Sequence, residues 1–127
     1  YFSGWDYYTA DGGLISNPYD MNRFFLELMR GHIINANSLD EMQTWITPKE
    51  QDSEFFPIQY GLGIFRIETP QGIAYMHSGD AIGYYANMLY FPDDSTTIVY
   101  AVNSNYGKID QFVSTQSAIE NILETVK

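Results

Sequence analysis

His77, Ser78, Gly79 and Asp80 form the densest polar cluster at the end of any strand that the sequence predicts. An imidazole titrates near neutral pH and can give or take a proton. A serine hydroxyl beside it can reach the same ligand, and a glycine lets that ligand approach the main chain. Neighbouring residues of a strand point to opposite faces, which sends His77 and Ser78 apart. Both can reach one ligand only if the segment is an edge strand or ends in a bulge beside a cleft. The plainer reading is a hydrogen-bonded histidine at a strand end followed by a Ser-Gly turn. Residue types alone leave both readings open.

The elements that must position this cluster are legible from periodicity. Asn17-Pro18-Tyr19-Asp20 is a helix start: Asn17 caps, Pro18 suits the first helical position, and Asp20 favours the positive end of the dipole. Met21, Phe24, Phe25, Leu28 and Met29 repeat at three-and-four spacing, and Arg30-Gly31 closes the helix. A second helix is predicted from Ser38, with Glu41 completing a capping box; Met42, Trp45 and Ile46 form its apolar face, and Thr47-Pro48 stops it. Lys49 to Glu54 reads as a polar loop. The period then changes to two. Tyr60 to Ile67, Ile73 to Ser78, Tyr84 to Phe91 and Thr96 to Asn103 read as strands, and their short links predict antiparallel neighbours. Ile109 to Lys127 returns to helical spacing, with Phe112, Ile119, Leu123 and Val126 on one face. That last helix is the expected cover for the sheet. The predicted class is α+β: an antiparallel sheet of about four strands with flanking helices.

Composition narrows the functions available. The chain has 127 residues, 45% hydrophobic and 17% aromatic, with eleven Tyr and eight Phe. This excludes intrinsic disorder and suits one core, in which roughly two thirds of the unfolded surface can be buried. Six Lys plus Arg against sixteen Asp plus Glu give a net charge of −10. Such a chain repels a phosphate backbone and an anionic membrane surface. No apolar run reaches the ~18–20 residues that a membrane helix needs. The absence of cysteine removes disulfide and thiolate chemistry, and two histidines, His32 and His77, offer no helical metal-binding pair. No cofactor or metal is therefore expected. Gly12-Gly13 reads as a packing turn, since no Lys-Ser/Thr follows it to hold phosphate. His32 reads as a surface group at a helix C-terminus, and Asp93-Asp94 as a hairpin turn.

Four short stretches occur in a suggestive order: Ala10-Asp11-Gly12-Gly13-Leu14-Ile15-Ser16, then Asp20 to Phe24, then Tyr60-Gly61-Leu62-Gly63-Ile64, then His77-Ser78-Gly79 with Gly83-Tyr84. In that order they resemble the C-terminal part of the serine β-lactamase-like family, which includes class C β-lactamases, D-alanyl-D-alanine carboxypeptidases, other penicillin-binding proteins and related esterases. The likeness runs from about Ala10 to the terminal helix. It implies a fragment of the β-lactamase/transpeptidase-like fold. It also implies that His77 occupies the place of the basic residue in the family's Lys-Thr-Gly or His-Ser/Thr-Gly motif. Ser78 would then hydrogen-bond a substrate carboxylate, Gly79 would leave room for the acyl group, and the Asp80 N–H would be one of two oxyanion donors. An acidic residue at position 80 departs from the usual pattern and weakens attraction of an anionic substrate.

The family's Ser-x-x-Lys cannot be assembled here. The residues three before Lys49, Lys108 and Lys127 are Ile46, Asn105 and Glu124. Tyr85-Ala86-Asn87 matches Tyr-x-Asn literally but follows the His-Ser-Gly motif within a predicted strand, and reads as coincidence. Residues 1–127 are accordingly expected to be the C-terminal portion of a single serine hydrolase domain, cut from something longer and inactive alone. Through the resemblance, the partner is a small-molecule or peptide substrate, and the location is extracellular or at the cell envelope. The alternative is a non-catalytic binding or structural α+β module that self-associates through exposed strands.

Overall fold

The computed structural model describes residues 14–50, 56–81, 84–103 and 115–126. The readings placed on Ala10 to Gly13, Glu54, Gly83, Ile109 and Phe112 lie outside them. The elements in chain order are α1 (Pro18–Met29), α2 (Ala36–Met42), β1 (Ile58–Tyr60), β2 (Phe65–Thr69), β3 (Gly72–Ala81), β4 (Tyr84–Phe91), β5 (Thr96–Val102) and α3 (Thr115–Val126). The strands form one antiparallel sheet in the order β1-β2-β3-β4-β5, so each strand pairs with its neighbours in sequence.

Helix α1 forms as its caps dictate. The Asn17 side-chain oxygen accepts from the N–H groups of Tyr19 (3.0 Å) and Asp20 (3.1 Å), and its Nδ2 donates to Asp20 Oδ2 (2.7 Å). At the other end the His32 N–H reaches the Glu27 carbonyl and the Gly31 N–H reaches that of Leu28. This double closure needs a left-handed residue, and Gly31 supplies it with φ 74°. Phe25, Leu28 and Met29 are buried, whereas Phe24 of the predicted apolar face is half exposed.

Two local expectations are corrected. Helix α2 begins before Ser38: Asn35 is its N-cap and accepts the Ser38 N–H at 2.9 Å. It also ends at Met42, so Trp45 and Ile46 leave the helix. Ile46 instead exchanges two backbone hydrogen bonds with Tyr60, each 2.9 Å, and its side chain stays exposed. Tertiary pairing outweighs a helical spacing that rested on three residues, Met42, Trp45 and Ile46. The predicted strand Tyr60 to Ile67 is two strands, so the sheet has five strands among the described residues. A turn divides them, in which the Gly61 N–H donates to the Ile64 carbonyl (2.9 Å) and Gly63 has φ 81°. A Cβ on buried Gly61 would collide with the Met42 carbonyl oxygen and sit 3.0 Å from the Trp45 ring.

Both faces of the sheet are covered. On one side Ile67, Ala74, Met76, Leu89 and Phe91 pack with Ile119 and Leu123 of α3, the cover anticipated from sequence. On the other, Tyr75, Met88 and Tyr90 pack with Phe25, Leu28 and Met29 of α1, joined by Trp45 and Met42. The alternation of these two sets along β3 and β4 is the period-two pattern made physical.

Candidate functional site

The segment carrying the His-Ser-Gly cluster is the second half of β3. Pairing of β2 with β3 runs from Thr69↔Gly72 to Phe65↔Met76 and goes no further. Pairing of β3 with β4 continues through His77↔Met88, Ser78↔Asn87, Gly79↔Ala86, Asp80↔Tyr85 and Ala81↔Tyr84. Among the described residues, residues 77–81 therefore have a strand partner on one side only. On the other side, where β2 would continue, the chain turns away at Gly61–Ile64, and no described residue pairs with that edge. The sequence required an edge or a bulge for His77 and Ser78 to serve one ligand, and among the described residues this segment is an edge.

Strands direct the N–H and C=O groups of alternate residues to alternate sides. Thr69↔Gly72 closes a two-residue hairpin, a hydrogen-bonded type of pair, so Gly72 and every second residue after it present their backbone toward the β2 side. By that count the Ser78 and Asp80 backbone groups face the open edge.

Side chains divide between the two faces. His77 shares a face with Tyr75, and its ring lies 5.6 Å from the Phe65 ring at a tilt of 40°. Phe65 in turn lies 4.5 Å from the Tyr60 ring, so an aromatic line leads from His77 along the end of β2. Trp45 stacks on Tyr75 at 5.1 Å behind it. Gly79 is exposed, and a Cβ built on it meets no atom within 4 Å. Arg66, next on this face, is already engaged by Gln59 (2.8 Å) and Glu68 (3.0 Å).

Ser78 faces the α3 side, in a cross-strand row with Asn87 and Tyr100. Asn87 is fully buried; its Nδ2 lies 3.3 Å from the Tyr100 hydroxyl, and its Oδ1 has no partner among the described residues. Burial pushes the Tyr100 phenol up to about 12; the Asn87 contact opposes the rise and neighbouring Tyr85 adds to it. The sequence reading passed over this row. Its signal was an Asn in an inward slot between Tyr85 and Leu89, where strand alternation calls for an apolar residue. Tyr85-Ala86-Asn87 lies in the first half of β4, with Tyr85 and Asn87 both packed inward.

The other singled-out polar groups are dispersed. His32 Nδ1 bonds Glu27 Oε2 at 2.7 Å on the surface, and this bond, with the charges of His32, Arg30 and Arg23, holds the Glu27 carboxyl below its usual range. Asp94 Oδ1 accepts the Thr96 N–H in the β4–β5 hairpin. Among the described residues no three His, Asp or Glu side chains gather as metal ligands, and no helix is long and apolar enough to cross a membrane.

An antiparallel sheet between helices, with its strands in sequential order, is the architecture of a β-lactamase/transpeptidase-like unit. The Beta-lactamase family model matches residues 2–119, and the chain belongs to that family. Among solved structures it is similar to the D-amino acid amidase of Ochrobactrum anthropi SV3 complexed with D-phenylalanine. That match has a TM-score of 0.73 and 23% identity over 91% of this chain and 37% of the amidase. A D-stereospecific amidohydrolase from Streptomyces sp. matches with a TM-score of 0.66 and 23% identity, covering 83% of this chain and 29% of that one. A penicillin binding protein from Bacillus halodurans matches at 0.63 and 20%, covering 87% and 30%. The chain thus spans about a third of the length of these structures, and at such identities the likeness is one of fold.

Proposed function

We propose that these residues are the C-terminal portion of a serine hydrolase that forms an acyl-enzyme with a peptide, amide, β-lactam or ester and passes the acyl group to water. The observation that carries this reading is the edge that β3 presents over residues 77–81 among the described residues, where His77, Ser78, Gly79 and the Asp80 N–H lie at four consecutive positions.

In this proposal each group has one task. The serine nucleophile, supplied from outside these 127 residues, attacks the substrate carbonyl, and its proton passes to a neighbouring base and on to the leaving group. His77 helps to orient that proton-transfer machinery and attracts an anionic substrate group. Ser78 donates a hydrogen bond to the substrate carboxylate. Gly79 leaves space for the acyl group, and the Asp80 N–H, directed to the open edge, stabilises the oxyanion of the tetrahedral intermediate. One such donor in a dry site is worth about 3 kcal/mol of barrier. Water then attacks the acyl-enzyme over the same path. The substrates are small molecules or short peptides at the cell envelope, a setting drawn from the family resemblance alone.

The test is labelling by a fluorescent penicillin. The 127-residue chain should remain unlabelled after denaturing electrophoresis, whereas the full reading frame that carries it should label, and His77→Ala should slow that labelling at least tenfold. Covalent labelling of the short chain would overturn the assignment of the nucleophile. Full-length labelling indifferent to His77→Ala would overturn the site. A second reading, a self-associating module without chemistry, draws on β5: it is a sheet edge among the described residues, and Thr96–Val102 carries no charge. It requires a concentration-dependent dimer in sedimentation together with an unlabelled full-length protein.

A further inference from the structure

Phe65 stands where the two faces of the sheet meet. It is the first residue of β2 and pairs with Met76, whose buried side chain belongs to the cluster under α3; Phe65 is itself half-buried against that cluster. His77, one position beyond Met76, points to the opposite face, the face of Tyr75. Yet the Phe65 and His77 rings lie 5.6 Å apart at a tilt of 40°. One ring meets both neighbours only by lying across the end of β2, where the ladder to β3 stops. Tyr60, its partner in β1, backs it at 4.5 Å. The half-buried imidazole has few other supports. Among the described residues no hydrogen bond reaches its nitrogens, although such a bond usually sets the orientation of a histidine. Met88 lies across from it on β4, and Tyr75 stands behind it on the same face. Ahead of it Gly79 has no side chain, and even an added Cβ there meets nothing within 4 Å. Phe65 closes the remaining side.

We propose that Phe65 is a positioning residue for His77: its ring holds the imidazole at the head of the edge formed by residues 77–81 and keeps it from swinging over Gly79. Tilted aromatic rings at this separation attract one another beyond the area they bury, and the attraction depends on orientation. The contact therefore favours one rotamer of His77 over the others that an unblocked side chain would share. A ring suits the task better than a hydrogen bond. A hydrogen bond would occupy one nitrogen and fix the tautomer, whereas the ring contact leaves both nitrogens to give or take a proton. This inference rests on the assignment of residues 77–80 to substrate binding.

The experiment uses the full-length enzyme and the rate of its acylation by a fluorescent penicillin. Phe65→Leu removes the ring and keeps an apolar side chain; it should slow acylation about three- to tenfold, the range of one aromatic pair. In a His77→Ala background the same change should slow acylation less than about twofold, because the group it acts through is gone. Phe65→Tyr keeps the ring and should stay within about twofold of the unaltered enzyme. Equal losses from Phe65→Leu in the two backgrounds would mean that Phe65 only supports the fold, and would overturn the proposal. So would a Phe65→Tyr enzyme as slow as Phe65→Leu. Phe65→Met serves in place of Phe65→Leu if the latter does not fold. The unaltered enzyme gives an independent reading: a nuclear Overhauser contact between the His77 and Phe65 ring protons is expected, and its absence would overturn the clamp. His77→Ala separates the two levels. If it leaves acylation unchanged, the site assignment itself fails. If it slows acylation while Phe65→Leu does not, only the positioning role fails.

Discussion

Gly79→Ala distinguishes a functional strand end from a structural turn. Gly79 lies in β3 with no positive φ, and the added Cβ meets no atom within 4 Å. Folding should therefore not suffer. Replacing Gly by Ala at an unstrained position reduces the freedom of the unfolded chain and adds about 0.4–1 kcal/mol of stability. That corresponds to a melting temperature raised by roughly 1–4 °C. The same methyl stands at the bared edge where the proposal seats an acyl group, and a displacement of about 1 Å there costs on the order of 100-fold in acylation. Thermal denaturation followed by circular dichroism and the rate of penicillin acylation in the full-length enzyme measure the two halves. Gly61→Ala is the control with the opposite sign. Its Cβ would collide with the Met42 carbonyl and crowd the Trp45 ring, at a cost of about 1–3 kcal/mol. A Gly79→Ala protein that melts several degrees lower would refute the open geometry. Unaltered acylation would refute the placement of substrate beside Gly79.

Two further outcomes follow from the packing and the charges. Leu123→Ala removes a side chain with no exposed surface from the contact between α3 and the sheet, and should cost about 2–5 kcal/mol in chemical denaturation; a loss under 1 kcal/mol would mean that α3 does not seal this face. The Glu27 carboxyl, held low chiefly by its bond to His32, should titrate below 4.5 by carboxyl chemical shift and return toward that value in His32→Ala. Because its folded-state pKa is depressed, any stability it contributes is present above pH 4.5 and lost as pH falls through the lower value. A titration unchanged in the variant would show that the 2.7 Å contact is not populated in solution.

The first helix was legible because its signals are local. Asn17, Pro18, Asp20, Arg30 and Gly31 act on backbone groups within one turn of themselves, and the structure places the cap and the closure where those residues stand. Strands β4 and β5 were legible for a related reason: alternating residues between a turn at Pro92–Ser95 leave little choice of register. The family resemblance rested on short motifs whose order along the chain is itself sequence information. Where the reading slipped, at Trp45, Ile46 and the division of Tyr60 to Ile67, a partner distant in sequence decided. Ile46 exchanges backbone bonds with Tyr60, fourteen positions away in sequence, and Gly61 is pressed against Met42.

The candidate site divides along the same line. Residue types alone singled out His77, Ser78, Gly79 and Asp80 as a polar cluster and set the condition of an edge or a bulge. Only the tertiary structure could say that β2 stops at Phe65 while β3 runs on to Ala81, because the length of a ladder depends on where its partner turns away. Likewise, only pairing across β3, β4 and β5 could bring Ser78, Asn87 and Tyr100 into one row. Local sequence sets which side chains a strand offers to each face. The neighbours those side chains meet are set by the register of strands whose residues are far apart along the chain.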